Sequence, residues 1–238
     1  IVGHHAIIDG WSLISLLIEI FQRCLAIQQS QSFPEKHLPN AMRNLVVRER
    51  KALNSAFDRG FWKQWLSSAT INSFPYLASM SGAISAHKND WPEVDLHLPL
   101  NISEQLKQLA QSLAVRLKCV LLAAHLRILS LLYGERNVTT GLVASTRPEG
   151  LDGDQVLGVF LNTLPLRMQL QGGTWAELIT QVFAAEREML NSRYYPLAGL
   201  HRLQGNTEFF DTTFNYLHYH VGEDFLNSDH AKIIAWSN

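Results

Sequence analysis

Apolar residues recur at helical spacing in two stretches of the N-terminal third of the chain. After Ser12, which we expect to cap a helix, they repeat every three or four residues and predict an amphipathic helix of about four turns. A second helix is expected from about Ala41, with an aromatic end at Phe57, Phe61, Trp62 and Trp65. The polar segment 28–39 between them contains Gln, Ser and Pro and predicts a loop.

Strands and helices alternate in the rest of the chain. Strict alternation over residues 93–98 predicts a half-buried strand, and further strands are expected at 138–145, within 157–167 and at 209–216. Ser103 and Thr174 are expected to begin helices, and another helix should run from about Cys119 to Leu132 and end at Gly134. This order favours an α/β layer structure. Residues 70–91 lack periodicity, so we place a boundary there between subdomains 1–69 and 70–238.

Composition and charge narrow the function classes. With 238 residues, 47% of them hydrophobic, the chain can build a sizeable core. A net charge of −1 without a basic run makes nucleic acid or an anionic membrane an unexpected partner. Cys24 and Cys119 are expected to be reduced, buried thiols, which favours a cytoplasmic protein. We expect no membrane-spanning run and no signal segment, and we interpret the chain as an internal piece of a longer protein.

The segment with the clearest chemistry is His4-His5-x-x-x-Asp9-Gly10, a polar turn between an expected strand and the first helix. Adjacent histidines cannot point the same way, so at most one faces a given cavity while the other packs or orients. Asp9 and Gly10 suit a tight, ordered turn. The alternatives are a buried structural histidine and a zinc site. Zinc is disfavoured because the histidines are adjacent and no Cys-x-x-Cys or His-x-x-x-His completes a ligand set.

This motif resembles the signature of the condensation domains of non-ribosomal peptide synthetases, members of the chloramphenicol-acetyltransferase-like superfamily. Three further segments resemble the family's motifs in the family's order, namely the aromatic stretch 57–66, the Gly-x-Phe-Leu-Asn-Thr run within 157–167 and the Phe-Asp-x-x-Phe-Asn-Tyr segment 210–216. The turn 194–197 matches only loosely, because tyrosines replace polar residues before the proline. His218 and His220 share one face of the last predicted strand and are interpreted as a solvated face rather than a metal pair.

The resemblance implies an α/β, two-layer chloramphenicol-acetyltransferase-like sandwich, of which this chain holds the end of the N-terminal subdomain and most of the C-terminal one. It implies that His5 is catalytic, that His4, Asp9 and Gly10 shape the loop, and that Trp11, Ser12, Gly158, Asn162 and Thr163 line a substrate tunnel. Asn162 could instead bond neighbouring backbone. We expect Arg147, which follows a strand, to be the buried partner of Asp9, because a buried carboxylate needs compensation.

The implied reaction is amide formation between an acyl or peptidyl thioester on a donor carrier protein and an aminoacyl thioester on an acceptor carrier protein. The 4′-phosphopantetheine arms would arrive on the carriers, the domain itself would bind no cofactor or metal, and an adenylation domain would neighbour it. The alternatives are an epimerisation domain, a coenzyme A-dependent acyltransferase and an inactive platform that recruits carriers. A cyclisation domain is disfavoured, because such domains have Asp in place of both histidines.

Overall fold

A computed structural model describes residues 4–33, 40–67, 93–149, 153, 155–205 and 208–217 of the chain. The described part contains helices and a small sheet. In chain order they are α1 (Gly10–Gln28), α2 (Ala41–Asn54), α3 (Ala56–Leu66), α4 (Leu100–Ser112), α5 (Leu117–Tyr133), β1 (Asn137–Ser145), β2 (Leu161–Gln169), α6 (Trp175–Leu190), α7 (Leu197–Leu203) and β3 (Thr213–Phe214).

The three described strands form one sheet with the order β2-β1-β3. β1 pairs with β2 antiparallel, from Asn137 opposite Gln169 to Ser145 opposite Leu161. β1 pairs with β3 in parallel, through Gly141 and Leu142. β1 ends at Ser145, which lies opposite Leu161 at the start of β2. The loop between the two strands therefore begins and ends at the same edge of the pair.

One hydrophobic core joins the sheet to helices from both halves of the chain. Its fully buried members include Leu122 and Leu126 of α5, Leu142 of β1 and Leu164 of β2. Trp62 of α3 belongs to the same cluster, and its indole N–H donates to the Ser192 carbonyl at 3.3 Å. The described residues on the two sides of position 69 therefore share one core, while the boundary between 1–69 and 70–238 stays a prediction.

Several helix ends follow the expected local chemistry. Thr174 caps α6 in a capping box with Glu177, and Gly134 ends α5 with a φ of 68°. The expected cap at Ser12 is wrong, because α1 begins at Gly10 and Asp9 is its N-cap. The expected cap at Ser103 is also wrong, because Pro99 precedes α4 and makes no side-chain cap. Both serines lie inside their helices.

Two other expectations differ from the structure. Residues 93–98 are irregular and exposed rather than a strand, and no described segment pairs with them. The strand expected at 209–216 is reduced to the two residues of β3. Residues 1–3, His218 and His220 lie outside the described residues.

α1 buries few of its 19 residues in the described part. Ser12 is its one buried residue, and the apolar side chains of Ile20, Phe21 and Ile27 are exposed. Cys24 is exposed as well, so the expectation that both thiols are buried is wrong for Cys24 and confirmed for Cys119. α1 is long and apolar enough to cross a membrane when judged by length and composition alone, a test that core helices of soluble proteins also pass.

Candidate active site

The histidine motif forms a tight turn directly before α1. The Ile7 N–H donates to the His4 carbonyl at 3.0 Å, and the Ala6 N–H donates to His4 Nδ1 at 3.1 Å. His4 is thereby engaged in its own turn through the nitrogen that faces the backbone. His5 is exposed at the surface of the described part. His4 is exposed as well, so burial does not distinguish the two rings, and the expectation that one of them faces a cavity stays a prediction.

Asp9 anchors this turn and begins α1. Its carboxylate accepts the Ser12 N–H at 2.8 Å, as an N-cap does, and the Phe160 N–H at 3.0 Å. Its own N–H donates to the Gly158 carbonyl at 2.9 Å. Asp9 is 2% exposed, so these bonds are shielded from water. A residue of the motif thus binds both the helix start and the segment that leads into β2.

Arg147 completes the bonding of the Asp9 carboxylate. Its Nη2 lies 2.8 Å from Asp9 Oδ1 and 3.0 Å from Oδ2, and it also donates to Ser12 Oγ at 2.9 Å. Its Nη1 donates to the Val156 carbonyl at 2.5 Å. The ion pair between Asp9 and Arg147 that the sequence suggested is present in the structure. Because it is buried and bonded on both sides, it fixes the turn relative to the β1–β2 loop.

Ser12 and Gly158 form the other half of this arrangement. The Gly158 N–H donates to Ser12 Oγ at 3.1 Å, and that hydroxyl lies 3.0 Å from the Gly158 carbonyl. Gly158 has a φ of 150°, and a β-carbon there would overlap the sulfur of Met42. We call Asp9, Ser12, Arg147 and Gly158 the Asp9 cluster. It ties α1 to the segment before β2 through groups that are almost fully bonded.

A cavity of about 570 Å³ lies beside the Asp9 cluster. Its walls come from the start of α1, the start of α5, the end of β1 and the segment after β3. The lining residues are Asp9, Gly10, Trp11, Arg116, Leu117, Lys118, Val143, Ser145, Arg147, Pro148, Leu161, Asn215, Tyr216 and Leu217. This volume is within the range of small-molecule sites.

The structure divides the five residues that the sequence assigned to a substrate tunnel. Trp11 lines the cavity, whereas Ser12 and Gly158 are used in the Asp9 cluster. Asn162 donates to the carbonyls of Arg193 and Tyr195, each at 2.9 Å, and accepts the Leu197 N–H at 3.3 Å. Its amide therefore holds the loop between α6 and α7, which is the alternative left open for it. Thr163 lies in β2 opposite Val143 and, like Ser12, Gly158 and Asn162, is not among the described lining residues of the cavity.

A buried charge cluster at the start of α5 was not anticipated. The Glu186 carboxylate of α6 is 1% exposed and pairs with Lys118 and, at 3.7 Å, with Arg116. The Cys119 thiol donates to Glu186 Oε2 at 3.2 Å. Burial and the neighbouring carboxylate raise the pKa of Cys119 to about 11, so this thiol stays protonated at neutral pH. The sequence feature that could have indicated this cluster is Glu186, which stands at helical spacing between the apolar residues Val182 and Met189.

The segment 215–217 was also missed as part of a site. The sequence singled out its motif but gave it no role, and the structure places Asn215, Tyr216 and Leu217 on the cavity wall. Within the described ranges, no group of three or more His, Cys, Asp or Glu side chains has the arrangement of a metal site. Among the lining residues of the cavity are one carboxylate, three cationic side chains and several apolar ones.

Comparison with known proteins identifies the family. Residues 1–232 match the family model described as Condensation domain. The AMB antimetabolite synthetase AmbE of Pseudomonas aeruginosa is 31% identical over 221 residues, which cover 92% of this chain and 10% of that protein. Malpibaldin synthetase of Mortierella alpina is 26% identical over 220 residues, which cover 90% of this chain and 4% of that protein.

Solved structures show the same fold. The first condensation domain of the CDA synthetase superposes with a TM-score of 0.73 at 21% identity, over 91% of this chain and 48% of that one. The starter condensation domain of rhizomide synthetase superposes with a TM-score of 0.67 at 20% identity, over 88% of this chain and 48% of that one. The chain spans about half of these solved chains and a tenth or less of the synthetases. The predicted α/β fold is confirmed, and the chain belongs to the condensation-domain family.

Proposed function

We propose that this chain carries the histidine motif of an amide-forming condensation site in a multidomain peptide synthetase. The donor would be an acyl or peptidyl thioester on one carrier protein, and the acceptor an aminoacyl thioester on another. The observation that carries the proposal is the complete motif, with Asp9 buried and bonded to Arg147, beside a cavity large enough for a thioester arm. The intact His5 and Asp9 of the motif favour an enzyme over a degenerate platform.

In the proposed reaction, the acceptor amine attacks the donor thioester carbonyl. A C–N bond forms, the C–S bond breaks, the amine loses a proton and the donor thiol leaves with one. An α-amine has an ordinary pKa near 8, so roughly a tenth is neutral at pH 7. The demand on a base is therefore modest. Positioning two tethered thioesters contributes up to about 7–11 kcal/mol, against the ~10²–10⁴-fold typical of acid–base help.

We assign His5 to positioning the amine and taking its proton, with proximity as the larger contribution. Its exposed ring, on a turn held by the Asp9 cluster, supports this assignment. The 4′-phosphopantetheine arms would be supplied by carrier proteins, with an adenylation domain in the same polypeptide and a cytoplasmic location. The multidomain relatives support such neighbours in general.

The test uses the full-length polypeptide with a donor-loaded and an acceptor-loaded carrier protein, and reads the intact mass of the acceptor. We expect a gain equal to the donor acyl group, reduced at least tenfold by His5→Ala. Activity of His5→Ala within tenfold of the wild type refutes the proton-handling role. No gain with the folded wild type refutes amide formation. In that case, deuterium taken up from solvent at the α-carbon of the carrier-bound substrate identifies epimerisation. Acyl transfer from a coenzyme A thioester identifies the coenzyme A-dependent acyltransferase. Binding of carrier proteins without either reaction identifies the inactive platform.

A further inference from the structure

The start of α5 brings two cationic side chains to the cavity beside the histidine motif. Arg116 and Lys118 line it together with Trp11 at the start of α1. The Lys118 side chain is 16% exposed, whereas that of Arg116 is 65% exposed. Lys118 is therefore recessed in the wall, and Arg116 reaches solvent at the same wall.

The charges at this wall do not cancel. Arg147, the third cation of the cavity, is matched by Asp9. Arg116 and Lys118 share the single carboxylate of Glu186, and Cys119, which also bonds that carboxylate, is a neutral thiol. One positive charge is thus left over among the described residues of this cluster. An anion that enters the cavity is attracted by this charge from the solvent-exposed Arg116 and from the recessed Lys118.

The helix itself adds to this attraction. α5 has 17 residues, its N-cap Arg116 makes no side-chain cap and its first turn contains no acidic residue. The positive end of the helix dipole is therefore not offset by a local carboxylate in that turn. The rest of the lining includes the apolar side chains of Leu161 and Leu217, which suit a mostly uncharged chain attached to the anion.

We propose that Arg116 and Lys118 bind the phosphate ester of a pantetheine-bearing substrate in this cavity. The inference rests on the proposed function and specifies how its site recognises the carrier arm. The expected source is the carrier-bound arm, because its phosphodiester has one negative charge and matches the one uncompensated positive charge. Free coenzyme A has the same ester chemistry but several more negative charges.

The first test is a binding measurement that needs no reaction. Calorimetric titration of the full-length protein compares phosphopantetheine with pantetheine, which differ only in the phosphate. We expect the phosphate to improve wild-type affinity about tenfold, as a charge-assisted hydrogen bond does. Arg116→Ala should abolish this difference, Arg116→Lys should restore most of it and Arg116→Glu should make the phosphate unfavourable. Equal affinity of both probes for the wild type overturns the proposal.

A second test uses amide formation and separates the sources of the phosphate. Thioesters of the carrier protein, phosphopantetheine and pantetheine replace the donor in one series and the acceptor in another. In the series of the substrate whose phosphate is bound, Arg116→Ala should raise the KM of the carrier thioester and of the phosphopantetheine thioester about tenfold. The KM of the pantetheine thioester and all kcat values should stay unchanged. A KM effect confined to the carrier thioester indicates protein docking and overturns the phosphate contact. A coenzyme A thioester is included in each series. If Arg116→Ala raises its KM by a larger factor than the KM of the carrier thioester, the carrier is overturned as the source of the phosphate.

Arg127 offers a matched control, because it is an exposed arginine on the same helix and does not line the cavity. Arg127→Ala should leave both affinities and both KM values unchanged. If the wild type forms no amide from any thioester, the proposed function fails. The calorimetric comparison still decides the phosphate site in that case, since it depends on binding alone.

Discussion

Replacing Arg147 by alanine tests whether the Asp9 cluster holds the histidine turn. The substitution removes the guanidinium from both oxygens of Asp9 and from the Val156 carbonyl. Asp9 remains 2% exposed and keeps the backbone N–H donors of Ser12 and Phe160. The variant therefore leaves a buried carboxylate that has lost its countercharge but not all of its hydrogen bonds.

The expected cost follows from these contacts. Removing one partner of a buried ion pair destabilises a protein by about 3–5 kcal/mol, because the other charge is left uncompensated. Two of the four bonds to the Asp9 carboxylate survive, so we expect about 3 kcal/mol. Arg147→Lys keeps the charge but not the forked geometry and should lie between the wild type and Arg147→Ala.

The measurement is the free energy of unfolding in urea of the domain that carries this chain. A double-mutant cycle with Asp9→Asn should give a coupling energy of about 2 kcal/mol, because both substitutions remove the same ion pair. The control is Arg23→Ala, which breaks a half-exposed pair with Glu19 on α1 and should cost under about 1 kcal/mol. A loss within about 1 kcal/mol for Arg147→Ala, or a coupling energy near zero, refutes the anchoring role.

Three further substitutions test other parts of the site. Gly158→Ala should destabilise the domain by about 1–3 kcal/mol, because the new β-carbon overlaps Met42 and because φ is 150°. Adding Met42→Ala to this variant should remove the overlap but not the backbone strain. An unchanged urea midpoint for Gly158→Ala would contradict the prediction. Asn162→Ala should cost about 1–3 kcal/mol with KM unaltered, since its amide bonds backbone rather than substrate; altered KM at full stability would return it to the tunnel. Burial lowers the pKa of His125 below its ordinary value of 6.5, so its contribution to stability is present above that pH and is lost on acidification. His125→Asn should therefore reduce the change in unfolding free energy with pH, measured in urea between about pH 7.5 and 5. The same pH dependence in the variant and the wild type would refute this prediction.

Local sequence rules predicted the position of α1 but not its cap. Asp9 and Ser12 are both good N-cap residues, and propensity alone does not choose between them. The structure selects Asp9 because Ser12 is buried against Gly158, 146 residues away. The pairing of Asp9 with Arg147 could be anticipated, since a buried carboxylate needs a cation and Arg147 follows a strand.

The strand expected at 93–98 shows what alternation leaves out. Val94 and Leu96 are 87% and 82% exposed, so their alternation has no covering layer among the described residues. A strand needs a hydrogen-bonded neighbour, and the sequence of one segment does not say where that neighbour is. For Asn162, a polar residue within an apolar run was assigned to a substrate tunnel, whereas its side chain bonds the backbone of the loop between α6 and α7.

The charge cluster around Glu186 could not be predicted from spacing. Its members lie on α5 and α6, so their meeting depends on how two helices pack. A Glu on an apolar helix face indicates that some partner exists, but the identity of Lys118 and Cys119 follows only from the packed structure. This is the part of the candidate site that sequence patterns conceal most.

The bonding of Asp9 also affects the order of folding during synthesis. Asp9 and Arg147 are 138 residues apart, and Phe160 follows 151 residues after Asp9. At typical rates of about 5–20 residues per second, the histidine turn leaves the ribosome on the order of ten seconds before its anchors exist. During that interval the turn and the apolar face of α1 have to remain soluble without them. The histidine motif is thus made well before the residues that hold its turn in place.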